Sequence, residues 1–105
     1  MMAEIRYTVS VTFPREGEWQ RWLDWLKTGH AAAVIAGGAT SAEAYSVDGS
    51  PNTFEVVYRF PDRATFERYE REVAPALRAE GLAMFPASSG IVFRRSLAEL
   101  LARIP

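Results

Sequence analysis

The stretch that decides the fold is Ile5-Arg6-Tyr7-Thr8-Val9-Ser10-Val11-Thr12-Phe13, near the start of a 105-residue chain. Apolar and polar residues alternate along it. One side carries Ile5, Tyr7, Val9, Val11 and Phe13, and the other carries Arg6, Thr8, Ser10 and Thr12. A period of two with β-branched and aromatic residues is typical of a strand with one buried face. Pro14 ends the strand because proline has no backbone N–H to donate to a ladder.

A helix is predicted to follow this strand from about Arg15. Its apolar stripe consists of Trp19, Trp22, Leu23 and Leu26, which are spaced as on one face of a helix. If the helix continues past Gly29, His30 and Val34 extend the same stripe. Gly37-Gly38 then ends it, as glycine commonly does.

The rest of the chain repeats these two patterns. The predicted elements are a strand over 41–47, a turn over 48–52, a strand over 53–60, helical segments over about 62–73 and 75–84 with a kink at Ala74-Pro75, and a strand over 91–97. Asp62 is the predicted N-cap of the first segment. A short amphipathic turn at the carboxyl terminus is suggested by Leu97, Leu100, Leu101 and Ile104.

The order β-α-β-β-α-β predicts an α+β, ferredoxin-like fold, in which both helices cover one face of a four-stranded antiparallel sheet. The chain has no linker, internal repeat or low-complexity tract. It is therefore expected to form a single domain over 1–105.

The two faces of this sheet should differ. The covered face is expected to carry Ile5, Tyr7, Val9, Val11, Phe54, Val56, Tyr58, Ile91 and Phe93. The open face is expected to carry Arg6, Thr8, Ser10, Thr12, Ala42, Ala44, Glu55, Val57, Arg59, Val92 and Arg94. Either the open face is solvated, as in many antiparallel sheets, or two copies join through it as a dimeric α/β barrel. In such a homodimer, Arg94 could pair with Glu55.

Composition excludes several classes of function. Twelve basic against thirteen acidic residues leave a formal charge of −1, which disfavours nucleic acid and anionic membrane surfaces as partners. The absence of cysteine excludes disulfides, thiolate nucleophiles and iron–sulfur clusters. No metal or cofactor is predicted, because ligand-spaced histidine or carboxylate clusters and phosphate-binding glycine loops are absent. No signal peptide or apolar spanning run is found, so a cytoplasmic location is expected.

A small-ligand pocket is the favoured candidate site. His30, the one histidine, is predicted to face the sheet beside Trp22, with Tyr7, Tyr58 and Arg95 on the same side. A few polar groups in an aromatic cavity are how such sites are usually built. His30 is the candidate catalytic residue, and the candidate ligand-binding residues are Tyr7, Trp22, Trp25, Tyr58 and Arg95. The plainer alternatives are a core histidine held by one hydrogen bond, tryptophans that only pack, and an Arg95 that extends from the strand end into water.

An ordered set of short motifs spans most of the chain. It consists of Tyr7-Thr8-Val9-Ser10-Val11, Trp19-x-x-Trp22, Gly29-His30-x-x-x-Val34, Gly38-x-x-Ser41-Ala42, Phe54-Glu55-Val56-Val57-Tyr58, Phe66-x-x-Tyr69, Ala74-Pro75-x-Leu77-Arg78-x-Glu80 and Phe93-Arg94-Arg95. In this order it resembles a bacterial domain-of-unknown-function family among the dimeric α/β-barrel proteins. The resemblance implies a ferredoxin-like subunit that pairs through its sheet, and it implies no reaction.

More distantly, the plan is similar to antibiotic-biosynthesis-type monooxygenases, muconolactone isomerases and haem-degrading monooxygenases. These bind small aromatic or polyketide substrates, or haem, between sheet and helices. The haem-degrading group takes its iron ligand from a histidine on the second helix, which this chain lacks. Three hypotheses follow. The protein is a homodimer that binds a small aromatic or anionic ligand, a cofactor-independent monooxygenase or isomerase with His30 as base, or a structural domain without a site.

Overall fold

The computed structural model of the protein describes residues 3–105. The strands are β1 (Ile5–Thr12), β2 (Ser41–Ser46), β3 (Thr53–Phe60) and β4 (Val92–Glu99). The helices are α1 (Trp19–Trp25), α2 (Ala31–Ala36), α3 (Arg63–Glu72) and α4 (Ala74–Met84). A π-helical turn (Leu26–His30) joins α1 to α2, and a 3₁₀ turn (Ala87–Ser89) precedes β4.

The four strands form one antiparallel sheet in the order β2-β3-β1-β4. In the register, Tyr7 of β1 lies between Tyr58 of β3 and Leu97 of β4, so these side chains share a face. The helices pack on that face, and the predicted α+β, ferredoxin-like fold is confirmed. None of the helices within residues 3–105 has the length and apolarity needed to cross a membrane.

The core lies between the helices and the covered face and is unusually aromatic. Its buried members are Ile5, Tyr7, Val11, Phe13, Trp22, Leu26, Val34, Ala39, Val56, Tyr58, Phe60, Phe66, Tyr69, Ala74, Leu77, Phe85 and Ile91. The ring of Phe60 contacts those of Phe66 and Tyr69, with centroids 5.2 and 5.1 Å away. Rings packed edge-on or tilted in this way leave fewer ways to rearrange than aliphatic chains do, which fixes the position of α3 on the sheet.

The first helix begins later than predicted, and it is interrupted. Gly17 has a left-handed backbone (φ 81°), which ends any helix attempted from Arg15, and α1 starts only at Trp19. In the π-helical turn the N–H of Ala31 donates to the carbonyl of Leu26, five residues back. The predicted single helix is therefore two short helices with one wider turn between them.

The kink predicted at Ala74-Pro75 is confirmed as the break between α3 and α4, with Val73 between them. Asp62 is the N-cap of α3 as predicted, since its carboxylate accepts from the N–H of Thr65 at 2.8 Å.

The prediction that Ala42 and Ala44 lie on the open face is wrong. Ala42 is opposite Tyr58 and Ala44 is opposite Val56, both of which belong to the core, so the two alanines lie on the covered face. The open face of β2 instead presents its other residues, including Tyr45, which lies opposite Glu55. A short strand with alanine on one side and tyrosine on the other carries too little apolar contrast to fix its orientation from sequence.

The predicted amphipathic turn at the carboxyl terminus is also wrong. Leu97 belongs to β4, which continues to Glu99 opposite Ile5, beyond the predicted end of the strand. Residues 101–105 have no regular structure, and Leu101 and Ile104 are 90% and 89% exposed. Ladder pairing with β1 therefore outweighed the weak helical spacing of these leucines.

Candidate functional site

A cavity of about 160 Å³ lies between the sheet and the helices. All six residues predicted for the site line it, namely Tyr7, Trp22, Trp25, His30, Tyr58 and Arg95. The remaining lining is Val9, Leu26, Val56, Tyr69, Leu77, Arg78, Leu82 and Phe93. The structure thus brings the predicted residues together, while their roles in binding or catalysis stay predictions.

The π-helical turn positions His30. Its imidazole stacks on the indole of Trp25, five residues earlier, with centroids 3.9 Å apart and planes inclined by 20°. In a regular α-helix, residues five apart point in directions about 140° apart and do not meet. The wider turn places them nearly one above the other, so the stacked pair depends on this irregular turn. Such turns are frequent at functional sites.

The chemical state of His30 follows from its surroundings. Burial lowers the pKa of its imidazole from 6.5 to about 4, because the charged form of the ring is poorly solvated there. The ring is therefore neutral at pH 7. Its Nδ1 is buried and has no hydrogen-bond partner within residues 3–105. The predicted alternative is a core histidine held by one hydrogen bond. Within the described residues, no such bond is made at Nδ1.

Tyr58 places a second unpaired polar atom beside this cavity. The residue is 1% exposed, and its hydroxyl has no hydrogen-bond partner within the described part of the chain. Its ring stacks on that of Tyr7 with centroids 6.0 Å apart. Burial, with smaller contributions from Tyr69 and Tyr7, raises the pKa of the Tyr58 hydroxyl, which stays protonated. A buried hydroxyl without a partner is costly and uncommon in folded proteins.

The two tryptophans of the site differ in exposure. Trp22 is buried and packs edge-on against Phe13, at 6.3 Å between centroids. Trp25 is half-buried between His30 and Phe85, whose ring centroid is 5.4 Å away. Core packing is therefore the main visible role of Trp22, whereas Trp25 forms a wall of the cavity.

Arg95 lies at the mouth of the cavity. It is opposite Val9 on the covered face, in the middle of β4, and it is exposed. No carboxylate within residues 3–105 forms an ion pair with it. The predicted alternative, an arginine at the strand end, does not fit its central position in β4, although its side chain does reach solvent.

Sequence reasoning missed Arg78 as a site residue. It comes from α4, four residues after buried Ala74, and donates to the carboxylate of Glu70 from α3. Its Nε is buried without a partner among the described residues. The signal was present in the sequence, because Ala74 and Arg78 are one helical turn apart and so share a face of the helix.

No group of three or more histidines, cysteines or carboxylates within residues 3–105 is arranged to hold a metal ion. The polar side chains that line the cavity carry hydroxyl, imidazole and guanidinium groups. The prediction that no cofactor is used stays a prediction.

Solved structures share this fold across almost the whole chain. A dimeric ferredoxin-like protein from an uncultured marine organism matches with a TM-score of 0.69 and 14% identity, over 97% of this chain and 99% of that one. SnoaB, a cofactor-independent oxygenase from Streptomyces nogalater, matches with a TM-score of 0.69 and 12% identity, over 98% of each chain. A protein of unknown function from Nitrosomonas europaea matches with a TM-score of 0.62 and 23% identity, over 99% of this chain and 96% of that one.

At these identities the likeness shows the fold, and function must be argued from the site. No curated protein matches the sequence. The family resemblance found in the ordered motifs is confirmed, however, over nearly the whole length of the chain. The family model named Domain of unknown function (DUF4286) matches residues 4–100, and the chain belongs to that family.

Proposed function

We propose that this protein binds a small aromatic ligand carrying an acidic hydroxyl group in the cavity between sheet and helices, and that it does so as a homodimer. One observation carries the binding proposal. Two buried polar atoms, Nδ1 of His30 and the hydroxyl of Tyr58, lack partners and belong to side chains of the same cavity.

The size and lining of the cavity support an aromatic ligand. An apolar cavity of about 150 Å³ holds a benzene molecule, so about 160 Å³ suits one six-membered ring with a small substituent. Aromatic side chains, including Tyr7, Trp22 and Trp25, supply flat surfaces for such a ring. These properties favour a ligand-binding protein over a structural domain without a site.

The unpaired atoms support a hydroxyl on that ring. A hydroxyl carries one donor and two acceptor positions, so it can satisfy a neutral imidazole nitrogen and a tyrosine hydroxyl together. Each buried polar atom without a partner costs about 1–3 kcal/mol, which a matching ligand recovers on binding. A plain hydrocarbon would fill the same space without this gain.

Binding of p-cresol and toluene, measured by calorimetry and by tryptophan fluorescence, tests the proposal. We expect p-cresol to bind at least about 10-fold more tightly than toluene. Tyr58→Phe should lower the affinity for p-cresol about 5- to 10-fold and leave toluene unchanged. Tyr45→Phe is the matched control, because Tyr45 lies on the open face. Equal binding of the two probes, or equal effects of the two substitutions, would contradict the proposal.

A second candidate is a cofactor-independent monooxygenase or isomerase. The place of His30 in the cavity wall supports it, because its imidazole nitrogen can accept a proton from a bound substrate hydroxyl. The lowered pKa makes His30 a weak base, so this reaction requires a strongly acidic hydroxyl. The two candidates separate on turnover. Oxygen uptake or isomerisation with hydroquinone-type or lactone probes that disappears in His30→Gln, while p-cresol affinity falls by no more than the roughly 10-fold expected for one lost hydrogen bond, would favour the enzyme. Binding without turnover would favour the binding protein.

The open face supports the homodimer. Tyr45 and Val92, on the two edge strands, are 46% and 47% exposed on this face, and a second copy would bury both of them. Arg94 and Glu55 lie on either side of Ser10 and form no ion pair with each other or with other residues in the described range. A two-fold axis through the face would bring Arg94 of one copy towards Glu55 of the other, as required for a self-complementary interface.

Sedimentation or light scattering tests the homodimer. We expect a dimer at micromolar concentration, and we expect Val92→Asp to shift it to monomer because the substitution buries an unpaired charge in the interface. Ile35→Asp on α2 is the matched control, since Ile35 is equally exposed but lies on the helical side. A wild-type monomer would overturn this part of the proposal and leave the cavity part standing.

A further inference from the structure

Two arginines meet where the cavity opens to solvent. Arg78 and Arg95, together with Tyr7, line both the inner cavity and an adjoining surface groove of about 350 Å³. The groove therefore adjoins the cavity, and a ligand that extends from one into the other lies against both side chains.

Neither guanidinium has its full set of partners. Arg78 is half-buried and donates to Glu70, but its Nε is buried without an acceptor among residues 3–105. A guanidinium has five N–H donors, so one carboxylate oxygen leaves most of them free. Arg95 has no carboxylate partner in the same range. Burying the Arg78 donor without an acceptor is unfavourable, and an oxygen-rich anion would relieve it and also pair with the exposed guanidinium of Arg95.

The net charge of the residues around the cavity and the groove also favours an anionic ligand. Glu70 is the only carboxylate among the residues that line the cavity and the groove, so Arg78, Arg95 and Glu70 leave one uncompensated positive charge. Tyr69 lines the cavity with both arginines, which oppose the rise that burial, Tyr7 and Glu70 cause in the pKa of its hydroxyl. A positive charge beside an apolar cavity of low dielectric is a strong attractor for a single negative charge.

We propose that Arg78 and Arg95 form an anion subsite for a carboxylate on the ligand, so that the ligand class is an aromatic hydroxy acid with its ring in the cavity and its carboxylate at the mouth. This inference rests on the proposed binding function and extends it. Arginine suits the role because its planar fork donates two parallel hydrogen bonds to a carboxylate. His30 and Tyr58 would hold the hydroxyl at the inner end.

The test compares acids with their neutral amides. The tightest binder among 2-, 3- and 4-hydroxybenzoate is titrated against the corresponding hydroxybenzamide, with p-cresol as the reference for the inner cavity. We expect the acid to bind at least about 10-fold more tightly than the amide at low salt, and we expect the difference to shrink as salt rises.

Substitutions assign the preference to residues. Arg95→Gln and Arg78→Gln should each reduce the acid-over-amide ratio several-fold, a larger change than any they cause in p-cresol affinity. Arg94→Gln is the matched control, because the neighbouring residue of β4 points to the open face. Arg78→Lys, which keeps the charge and loses the fork, covers the case in which Arg78→Gln does not fold, and it should also lower the ratio.

The outcomes separate the two proposals. If p-cresol and the amide bind but the acid binds no better, the anion subsite is wrong and the aromatic cavity stands. If the ratio falls equally in Arg94→Gln, the preference comes from overall charge and the assignment is also wrong. If none of the probes binds, the proposed function itself fails.

Discussion

The two faces of the sheet treat polar groups in opposite ways. On the open face, Arg59 pairs with Glu43 at 3.0 Å and with Glu4 at 3.8 Å, and the hydroxyls of Thr12 and Thr53 are 2.9 Å apart. On the covered face, the hydroxyl of Tyr58 and Nδ1 of His30 are buried without partners. Stability alone would favour the opposite arrangement, with every buried polar atom paired, since unpaired polar atoms cost most free energy where water is excluded. This difference is the ground on which we propose a ligand that supplies the missing hydrogen bonds of the cavity.

The largest expected effect is on stability and comes from a substitution in the aromatic core. Phe60→Ala should lower the free energy of unfolding by about 3–5 kcal/mol, because it removes a fully buried ring that contacts Phe66 and Tyr69. Tyr45→Ala on the open face should cost less than about 1 kcal/mol in dilute protein. Urea denaturation measures both. If the open face joins two copies, the cost of Tyr45→Ala should grow with protein concentration. Equal costs in dilute protein would contradict the distinction between the faces.

The next effect concerns the turn between α2 and β2. Gly38 has φ 128°, and a Cβ there would lie 2.7 Å from a methyl carbon of Thr65 on α3. Gly38→Ala should therefore cost about 2–4 kcal/mol, from backbone strain and overpacking together. Gly49→Ala, in the β2–β3 turn, meets only the strain, because φ is 79° and nothing lies within 4 Å of the added carbon. In thermal denaturation, the melting temperature of Gly38→Ala should be well below that of Gly49→Ala. Similar melting temperatures would show that the close approach of Gly38 to α3 is absent.

Burial of His30 on the covered side of the sheet should also make stability depend on pH. Because burial lowers the pKa of His30 from 6.5 to about 4, the unfolded chain takes up a proton before the folded one does on acidification. This residue's contribution to stability is therefore complete above about pH 6.5 and is lost as the pH falls towards 4. The loss should be about 1–2 kcal/mol after allowance for partial exposure.

His30→Phe isolates that contribution, because the ring can still stack on Trp25 but cannot titrate. The free energy of unfolding of the variant minus that of the wild type should be constant above pH 6.5 and should rise as the pH falls to 4. Urea denaturation at several pH values measures it. A difference that does not change with pH would mean that the imidazole is solvated, and the proposed site would lose its main support.

The sheet could be predicted because the period-two alternation is strong in strands such as 5–13 and 53–60, and the helices that cover it could be predicted from their apolar stripes. The orientation of β2 could not, since Ala42 and Ala44 differ too little from their neighbours in hydropathy. The π-helical turn could not either, because Gly29, where the backbone leaves helical geometry, marks a place for a break but not the number of residues in the turn. His30 was nevertheless correctly predicted to face the cavity. It lies four residues from both Leu26 and Val34, a spacing that keeps the three on one side with or without the wider turn. Arg78 was missed because a charged residue on an apolar helical stripe is usually read as its solvated edge.

The smallest effect compares one ion pair from each side of the sheet. Glu43→Gln breaks the pair with Arg59 on the open face, where both side chains are largely solvated, and should cost less than about 0.5 kcal/mol. Glu70→Gln breaks the pair with Arg78 at the mouth of the cavity and should cost no more than about 1 kcal/mol. Stability therefore separates the two pairs poorly.

Ligand affinity should separate these two ion pairs. Glu70 competes with a ligand for the guanidinium of Arg78, so Glu70→Gln should raise the affinity for hydroxybenzoate about 3-fold, whereas Glu43→Gln should leave it unchanged. Calorimetry on both variants at one salt concentration measures the effect. If Glu70→Gln weakens binding instead, the carboxylate holds Arg78 in position and does not compete with the ligand. In that case the ion pair on the covered side is part of the site, whereas the pair on the open side remains a minor contribution to stability.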